Sequence, residues 1–257
     1  MRLLSASKRV PGRFAVGPPS SASRPSRERI EGLMPAQRPR VLSTTAGELP
    51  LHEYRLALGG RTWTILHTGA MLSYEDEEQF LRGDQPRLPY GIALWPAAIA
   101  LAHDLAARPL QGVRLLELGA GTGLPGIVAA ALGASVVQTD RNAAALVVCR
   151  MNAEGNGVLV EQRAADWTAW KEADRYDFIV GADILYADSV HPQLRQIFES
   201  NLAPGGRLLL SDPFRAESIE LLQAMEADGW NVAFNKWTVG VVPPPRPIGV
   251  FELTRRG

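Results

Sequence analysis

A carboxylate and three closely spaced glycines form the part of this sequence whose residue types and spacing best fit ligand chemistry. Glu117 lies at the end of an apolar run and precedes Gly119, Gly121 and Gly123, so that glycine occupies every second position. Glycine allows positive φ and leaves no side chain, so the backbone can pass close to a bound ligand. The stretch 113–126 therefore predicts a buried strand, a ligand-binding turn and the start of a helix.

The same spacing argues against a dinucleotide. A dinucleotide fingerprint needs G-x-G-x-x-G so that the pyrophosphate can lie on a helix N-terminus, whereas here the third glycine comes one residue early and Leu124 follows it. The carboxylate of Glu117 also argues against a diphosphate and for a ligand with a cationic end. We infer S-adenosylmethionine (SAM), which carries an ammonium and a sulfonium group. An NAD(P)-dependent oxidoreductase is the rival reaction class.

A second apolar run, 135–140, ends in Asp140, 17 residues beyond Gly123. A carboxylate at the end of the second strand can accept hydrogen bonds from both hydroxyls of a ribose. Hydrogen bonds to a charged acceptor contribute about 1.5–3 kcal/mol. Asp140 is therefore predicted to bind the ribose of the ligand.

These motifs resemble those of a known enzyme family. Residues 115–140, LLELGAGTGLPGIVAAALGASVVQTD, resemble the first two motifs of class I methyltransferases, and the Gly-Leu-Pro-Gly ending is typical of methyltransferase family 16. That family includes protein-lysine methyltransferases and proteins described as nicotinamide N-methyltransferase-like. The resemblance extends from about Leu49 to the C-terminus. It implies a SAM-dependent N-methyltransferase but does not specify the acceptor.

The resemblance also assigns roles to residues outside the glycine motif. Trp95, next to Pro96, is implied to cover the cofactor with its indole near the methionine end. Asp166, followed by Trp167, corresponds to the acid that accepts a hydrogen bond from the adenine amino group. Asp183 and Tyr186 match a D-x-x-Y/F segment between cofactor and substrate, and we expect them to shape the acceptor pocket. Taken alone, these patterns also fit a core tryptophan, a helix cap and a loop pair. The predicted cofactor site comprises Trp95, Glu117, Gly119, Gly121, Gly123, Asp140, Asp166, Trp167 and Asp183, and the predicted catalytic residues are Asp183 and Tyr186.

Alternating apolar runs and helical stretches predict the elements that position these residues. We expect an α/β fold with a Rossmann-like, doubly wound sheet of seven strands. The resemblance implies the strand order 3-2-1-4-5-7-6 with the last strand antiparallel. An accessory β-hairpin is predicted in residues 49–69, because Gly59 and Gly60 separate two short alternating runs. Residues 41–257 are predicted to form one methyltransferase domain, with residues 90–257 as its core. The proline-rich stretch 243–247 is interpreted as a stiff connection at the substrate rim.

Residues 1–40 differ in composition from the rest of the chain. They contain nine Lys and Arg against two Glu and are rich in Arg, Ser and Pro, which predicts a disordered tail. Their composition superficially fits a transit peptide, although a solvated tail or a true start at Met34 is the simpler interpretation. The acidic segment 74–85 is interpreted as a solvated face in preference to a binding site for a basic partner.

Composition narrows the function further. The chain after residue 40 is mildly acidic, so it carries no nucleic-acid footprint, and its apolar segments are shorter than the roughly 20 residues of a membrane span. One cysteine, Cys149, and four scattered histidines indicate neither a disulfide framework nor a metal site. We expect a cytoplasmic, monomeric enzyme that methylates a protein lysine. A small-molecule amine is the alternative acceptor, and a non-catalytic SAM-binding adaptor is the alternative class.

Overall fold

The computed structural model describes residues 40–44, 47–70, 90–239 and 246–256. These residues form a small three-stranded sheet and a seven-stranded sheet. The predicted tail up to residue 39, the acidic segment 74–85 and the prolines at 243–245 lie outside the described residues. The domain boundaries proposed from the sequence therefore stay predictions.

The small sheet is antiparallel and precedes the main sheet. Its strands are β1 (Arg40–Thr44), β2 (Gly47–Leu58) and β3 (Arg61–His67). β2 and β3 form the predicted hairpin around Gly59 and Gly60, whose φ angles are 62° and 74°. β1 adds a third strand that the sequence did not indicate, with Arg40 opposite Leu51. Side chains of β2 and β3 share a buried cluster with Leu94 and other residues of the main domain, which joins the two sheets.

The main sheet confirms the predicted strand order. Its order is β6-β5-β4-β7-β8-β10-β9, which is 3-2-1-4-5-7-6 when the seven strands are counted along the chain. β4 to β8 run parallel, whereas β10 runs antiparallel to both β8 and β9. The strands are β4 (Arg114–Leu118), β5 (Ser135–Asp140), β6 (Glu161–Ala164), β7 (Tyr176–Ala182), β8 (Leu202–Asp212), β9 (Trp230–Val239) and β10 (Arg246–Arg255).

Helices cover both faces of this sheet. Successive residues of β8 point to opposite faces: Leu208 packs in a cluster with Phe198, whereas Leu209 packs in a cluster with Leu101. No helix in the described part of the chain is long and apolar enough to span a membrane. The helices described are α1 (Pro96–Ala106), α2 (Leu124–Ala131), α3 (Ala143–Gly155), α4 (His191–Asn201) and α5 (Ala216–Ala227).

The parallel strands bring their carboxyl ends to one edge of the sheet. The glycine loop follows β4, and Asp140 is the last residue of β5. Asp166 lies two residues beyond β6, and Asp183 directly follows β7. Ligands of open α/β sheets bind outside this edge, so the topology alone gathers the predicted acids where a ligand can reach them.

Candidate functional site

A cavity of about 680 Å³ lies at the carboxyl edge of the main sheet. This volume falls in the usual range for small-molecule sites, about 300–1,000 Å³. Two of the predicted residues, Glu117 and Gly123, are not part of its lining. The other eight predicted residues line it: Trp95, Gly119, Gly121, Asp140, Asp166, Trp167, Asp183 and Tyr186.

The glycine loop lies tightly against its neighbours. Gly119 and Gly121 have φ angles of 61° and 57°. A Cβ at Gly121 would lie 3.0 Å from the carbonyl oxygen of Gly91, and one at Gly119 would lie 3.0 Å from Cγ2 of Ile184. The loop therefore needs glycine both for its backbone conformation and for space. As a result its backbone, and not a side chain, faces the cavity at these positions.

Asp140 forms the wall beside this loop. Its Oδ2 accepts a hydrogen bond from the Gly121 N–H at 3.1 Å, and its Oδ1 accepts one from the Asn142 N–H at 2.8 Å. Burial raises the pKa of the Asp140 carboxyl above its ordinary value, while these N–H donors and Arg141 oppose the shift. Each carboxylate oxygen has more than one acceptor site, so Asp140 retains acceptor capacity toward the cavity.

Glu117 requires a correction, because it lies behind the glycine loop and not in the cavity. The residue is only 2% exposed. Its Oε2 accepts hydrogen bonds from Nε2 of Gln138 at 2.7 Å and from the Gly126 N–H at 3.1 Å. Burial raises the pKa of the Glu117 carboxyl to about 8. The sequence had predicted that this carboxyl faces a cationic ligand end, whereas the structure places it outside the cavity lining. It ties the first turn of α2 to β5.

Gly123 also faces the interior. It is the N-cap of α2, with a φ of 76°. A Cβ there would lie 2.7 Å from Nε2 of Gln138 and 3.1 Å from Sγ of Cys149. Gln138 also donates a hydrogen bond to the Gly123 carbonyl at 2.9 Å. Gly123 and Glu117 thus hold the loop from behind, whereas Gly119 and Gly121 form its cavity side.

Asp166 and Trp167 form the rim at the end of β6. Asp166 is exposed and caps the short 3₁₀ turn Trp167–Ala169, accepting hydrogen bonds from the N–H and hydroxyl of Thr168 at 2.8 and 2.7 Å. These hydrogen bonds lower the pKa of the Asp166 carboxyl. The indole of Trp167 reaches the glycine loop, since a Cβ at Gly119 would be 3.3 Å from its Cζ2. Asp166 is therefore both a cap and a cavity residue.

Asp183 directly follows β7, and Tyr186 lies three residues further along the loop. Both residues line the cavity. Asp183 has a φ of 58°, which is unusual for a residue other than glycine. Its N–H donates to the Ser211 carbonyl at 2.8 Å, which fixes the turn against β8. Tyr186 is 50% exposed. This end of the cavity is therefore open to molecules that arrive at the protein surface.

Arg215 is a cavity residue that sequence reasoning missed. Its guanidinium forms ion pairs with Oδ1 of Asp183 and, at 3.0 Å, with Oδ2 of Asp212. Asp212 is fully buried and also accepts hydrogen bonds from the Arg215 N–H and the Ser218 hydroxyl, each at 2.7 Å. Arg215 and Asp183 are 32 residues apart, so no local spacing signals their pairing. The sequence signal that could have identified Arg215 was its position three residues after Asp212, at the end of a predicted strand.

Comparison with known proteins identifies the family. Residues 78–225 match the family described as lysine methyltransferase, which is more than half of the chain. The chain belongs to this family. It is 39% identical over 143 residues to protein N-lysine methyltransferase METTL21A of Xenopus tropicalis, a match that covers 52% of this chain and 66% of the relative. It is 38% identical over 150 residues to METTL21A of Danio rerio, with 54% and 68% covered. The chain thus spans about two thirds of the length of these relatives.

Solved structures of methyltransferases share the fold of this chain. The 16S rRNA N2 G1207 methyltransferase RsmC of T. thermophilus, solved with AdoMet and guanosine, has a TM-score of 0.55 and 19% identity, and the match covers 80% of this chain and 51% of that one. A methyltransferase from Pyrococcus furiosus has a TM-score of 0.50 and 21% identity, covering 60% and 82%. These likenesses confirm the predicted Rossmann-like class.

SAM is the cofactor of the family, which confirms the ligand inferred from the sequence. The cavity fits this cofactor on two counts. A carboxylate with acceptor capacity stands at the end of β5, and two indoles, of Trp95 and Trp167, form part of the wall. Among the residues that the structure describes, no group of three or more His, Cys, Asp or Glu side chains fits a metal ion.

Proposed function

We propose that this methyltransferase transfers a methyl group from SAM to the side-chain amine of a lysine in a protein. One observation carries the proposal: a single cavity joins a wall containing Asp140 to a wall containing Asp183 and the half-exposed Tyr186. A lysine has a long apolar stem with a charged tip, so it can extend from a protein surface into such an opening. The relatives named protein N-lysine methyltransferase support the same acceptor.

We assign the cofactor contacts to the residues at the strand ends. Asp140 accepts from the ribose hydroxyls, Asp166 accepts from the adenine amino group, and Trp95 covers the methionine end. The backbone of Gly119 and Gly121 forms the floor beneath them. These assignments follow the positions of the residues around the cavity together with the family resemblance.

The chemistry requires little acid–base machinery from the chain. SAM supplies a methyl group already activated on a sulfonium. A free lysine amine has a pKa near 10.4, so the acceptor must lose its proton before it reacts. Orientation and exclusion of water contribute about 7–11 kcal/mol in favourable intramolecular reactions. We assign this orienting role to Asp183 and Tyr186, which can hydrogen-bond an amine at the open end.

We also propose that the protein is cytoplasmic and monomeric. Its one cysteine, Cys149, is buried, and the Cys149 thiol donates to the Gly121 carbonyl at 3.2 Å. This arrangement suits a reducing compartment. Fractionation of cells and sedimentation of the purified protein test the two statements separately.

The acceptor is tested by incubating the purified protein with methyl-labelled SAM and a lysate of cells that lack its gene. We expect label in a discrete protein band, and methyl-lysine after hydrolysis of that band. Asp183→Ala should abolish this label while SAM affinity changes by less than about threefold. The matched control is Asp188→Ala, because Asp188 is an exposed acid outside the cavity lining. The control should label as the wild type does.

Two outcomes would contradict the proposal. Label confined to the small-molecule fraction would move the function to a metabolite amine. Measurable SAM binding with no label in either fraction would favour a non-catalytic SAM-binding protein.

A further inference from the structure

Two strained residues flank one ion pair at the open end of the cavity. Asp183 and Phe214, with φ angles of 58° and 66°, are the only non-glycine residues with positive φ in the described ranges. Such conformations cost on the order of 1–3 kcal/mol and persist where the surrounding structure over-determines them. Arg215 directly follows Phe214 and pairs with Asp183. The ion pair therefore joins one strained residue, Asp183, to the residue that follows the other.

Asp212 holds this guanidinium from the interior. The Asp212 side chain is fully buried, and it accepts from both the backbone N–H and the guanidinium of Arg215. Leaving a buried carboxylate without its partner is costly, which keeps Arg215 in place. Phe214 packs edge-on against Phe234 and Phe251, with ring centroids 5.8 and 5.6 Å apart. Asp212 therefore anchors the side chain and backbone N–H of Arg215, and the packing of Phe214 anchors the residue before it.

The three side chains carry a net formal charge of −1. Two carboxylates, Asp183 and Asp212, surround the one guanidinium of Arg215. Loss of the guanidinium would leave a charge of −2 at this wall, and nearby negative charge favours the protonated form of an amine. The other charged or titratable groups around the cavity and at the starts of α4 and α5 are Asp140, Arg141, Asp166, Tyr186, Asp188, His191 and Glu217.

We propose that Arg215 is a positioning residue that fixes the Asp183 carboxylate and limits the negative charge facing the acceptor, so that an acceptor amine can release its proton to solvent before it reacts. The inference rests on one part of the proposed function, namely that the methyl acceptor is an amine. It does not depend on whether that amine belongs to a protein. Arg215 acts by holding the Asp183 carboxylate and by offsetting its negative charge. The proposal does not require Arg215 to contact the reacting atoms.

The first test measures binding and needs no acceptor. The probes are a SAM analogue with a protonated amine in place of the transferable methyl group and, as the reference without a cation at that position, S-adenosylhomocysteine. Arg215→Gln should bind the amine analogue about tenfold more tightly relative to the reference than the wild type does, because the formal charge of this wall then changes from −1 to −2. Arg215→Lys keeps the charge and should keep the wild-type ratio.

The second test uses the pH profile of methyl transfer. In Arg215→Gln the rising limb of the profile should move up by about one pH unit, since the acceptor amine holds its proton more tightly. Arg215→Lys should keep the position of the limb with a lower turnover, because an ammonium lacks the planar fork that pairs with two carboxylates. Arg195→Gln is the matched control, since Arg195 pairs with Asp228 on the surface. It should change neither the ratio nor the profile.

The outcomes separate this inference from the proposed function. An unchanged binding ratio in a folded Arg215→Gln protein overturns the role of Arg215, whatever the acceptor is. If that variant does not fold, Asp183→Asn provides the opposite test, because it removes a negative charge from the same wall. The amine analogue should then bind less tightly relative to the reference than it binds to the wild type. A ratio that does not decrease overturns the inference. If the wild type makes no methyl-lysine, the proposed function is wrong. The role of Arg215 is still decided in that case, because the binding test needs no acceptor.

Discussion

The two ends of the cavity are held by different kinds of interaction. At the cofactor end, backbone groups carry the geometry: Gly119 and Gly121 adopt positive φ, and Asp140 accepts from backbone N–H groups. At the open end, charged side chains carry it, with Arg215 between Asp183 and the buried Asp212. The first end therefore depends on positive φ angles and backbone N–H donors, whereas the second end depends on ion pairs that join the ends of β7 and β8.

This difference teaches how one fold can separate cofactor binding from acceptor choice. The glycine loop and the first turn of α2 form one local unit, tied from behind by Glu117 and Gln138. The ion pairs of the open end come from the ends of β7 and β8, and they share no residue with that unit. We therefore expect substitutions at the two ends to affect different measurable quantities.

The largest expected effect comes from breaking the backbone of the cofactor end with Gly123→Ala. The new Cβ would lie 2.7 Å from Nε2 of Gln138, at a φ of 76°. Left-handed backbone costs about 1–2 kcal/mol, and overpacking costs about 1–3 kcal/mol. The free energy of unfolding measured with urea should fall by about 2–5 kcal/mol, and SAM binding should be lost with the loop geometry.

The matched control is Gly157→Ala, where φ is 67° and no atom lies within 4 Å of the added Cβ. Only the backbone cost of about 1–2 kcal/mol remains there. Equal losses in the two variants would mean that the packing behind the loop does not hold the cofactor end.

The next largest effect sharpens the comparison between the two walls. Asp140→Ala removes an acceptor for the ribose and should weaken SAM binding by about 1.5–3 kcal/mol, which is roughly tenfold to a hundredfold. Asp183→Ala and Tyr186→Phe should lower turnover at saturating SAM, with less effect on SAM affinity. Calorimetric affinities and turnover rates measured on all three variants decide this.

Asp140→Asn is the control for shape, because it keeps one acceptor oxygen and should lose less affinity than Asp140→Ala. A loss of SAM affinity in Asp183→Ala as large as that in Asp140→Ala would mean that the two walls do not divide their tasks.

The sequence predicted the strand, glycine loop and helix start beside the cavity because their signals are local. Alternating apolar runs and glycine spacing identified β4, the loop and α2. Asp140 was found at the end of an apolar run, whereas Asp166 and Asp183 were assigned through the family resemblance. Parallel strands bring the carboxyl ends that carry these acids to one edge of the sheet. The whole strand order was also predicted, through the family resemblance. β1 was missed because the five residues Arg40–Thr44 adjoin a stretch of tail-like composition.

The direction of a strand residue and the pairing of distant charges could not be predicted. Whether Glu117 faces the ligand or the interior depends on its neighbour Gln138, which stands opposite it in the parallel register of β4 and β5. Two polar residues at one register position of buried strands were the missed signal. Arg215 was missed because it meets Asp183 only after β7 and β8 pair.

The pH dependence of stability tests whether Glu117 belongs to the interior and not to the ligand. Burial raises its pKa from 4.5 to about 8 in the folded protein. Between these values the carboxyl is protonated when folded and ionised when unfolded, so the unfolded state binds fewer protons. The contribution of Glu117 to the free energy of unfolding therefore falls as pH rises from about 4.5 to 8, with a limiting slope of about 1.4 kcal/mol per pH unit.

Glu117→Gln should flatten this decline, because the amide stays neutral and its oxygen can still accept from Gln138 and the Gly126 N–H. Urea denaturation at pH 5, 6, 7 and 8 measures the slope in the wild type, in Glu117→Gln and in Glu154→Gln, an exposed glutamate of α3 that should follow the wild type. Parallel curves for the first two proteins would show that Glu117 is ionised in the folded state. In that case its charge would reach the cofactor end, and the contrast between a backbone-built wall and a charge-built wall would not hold.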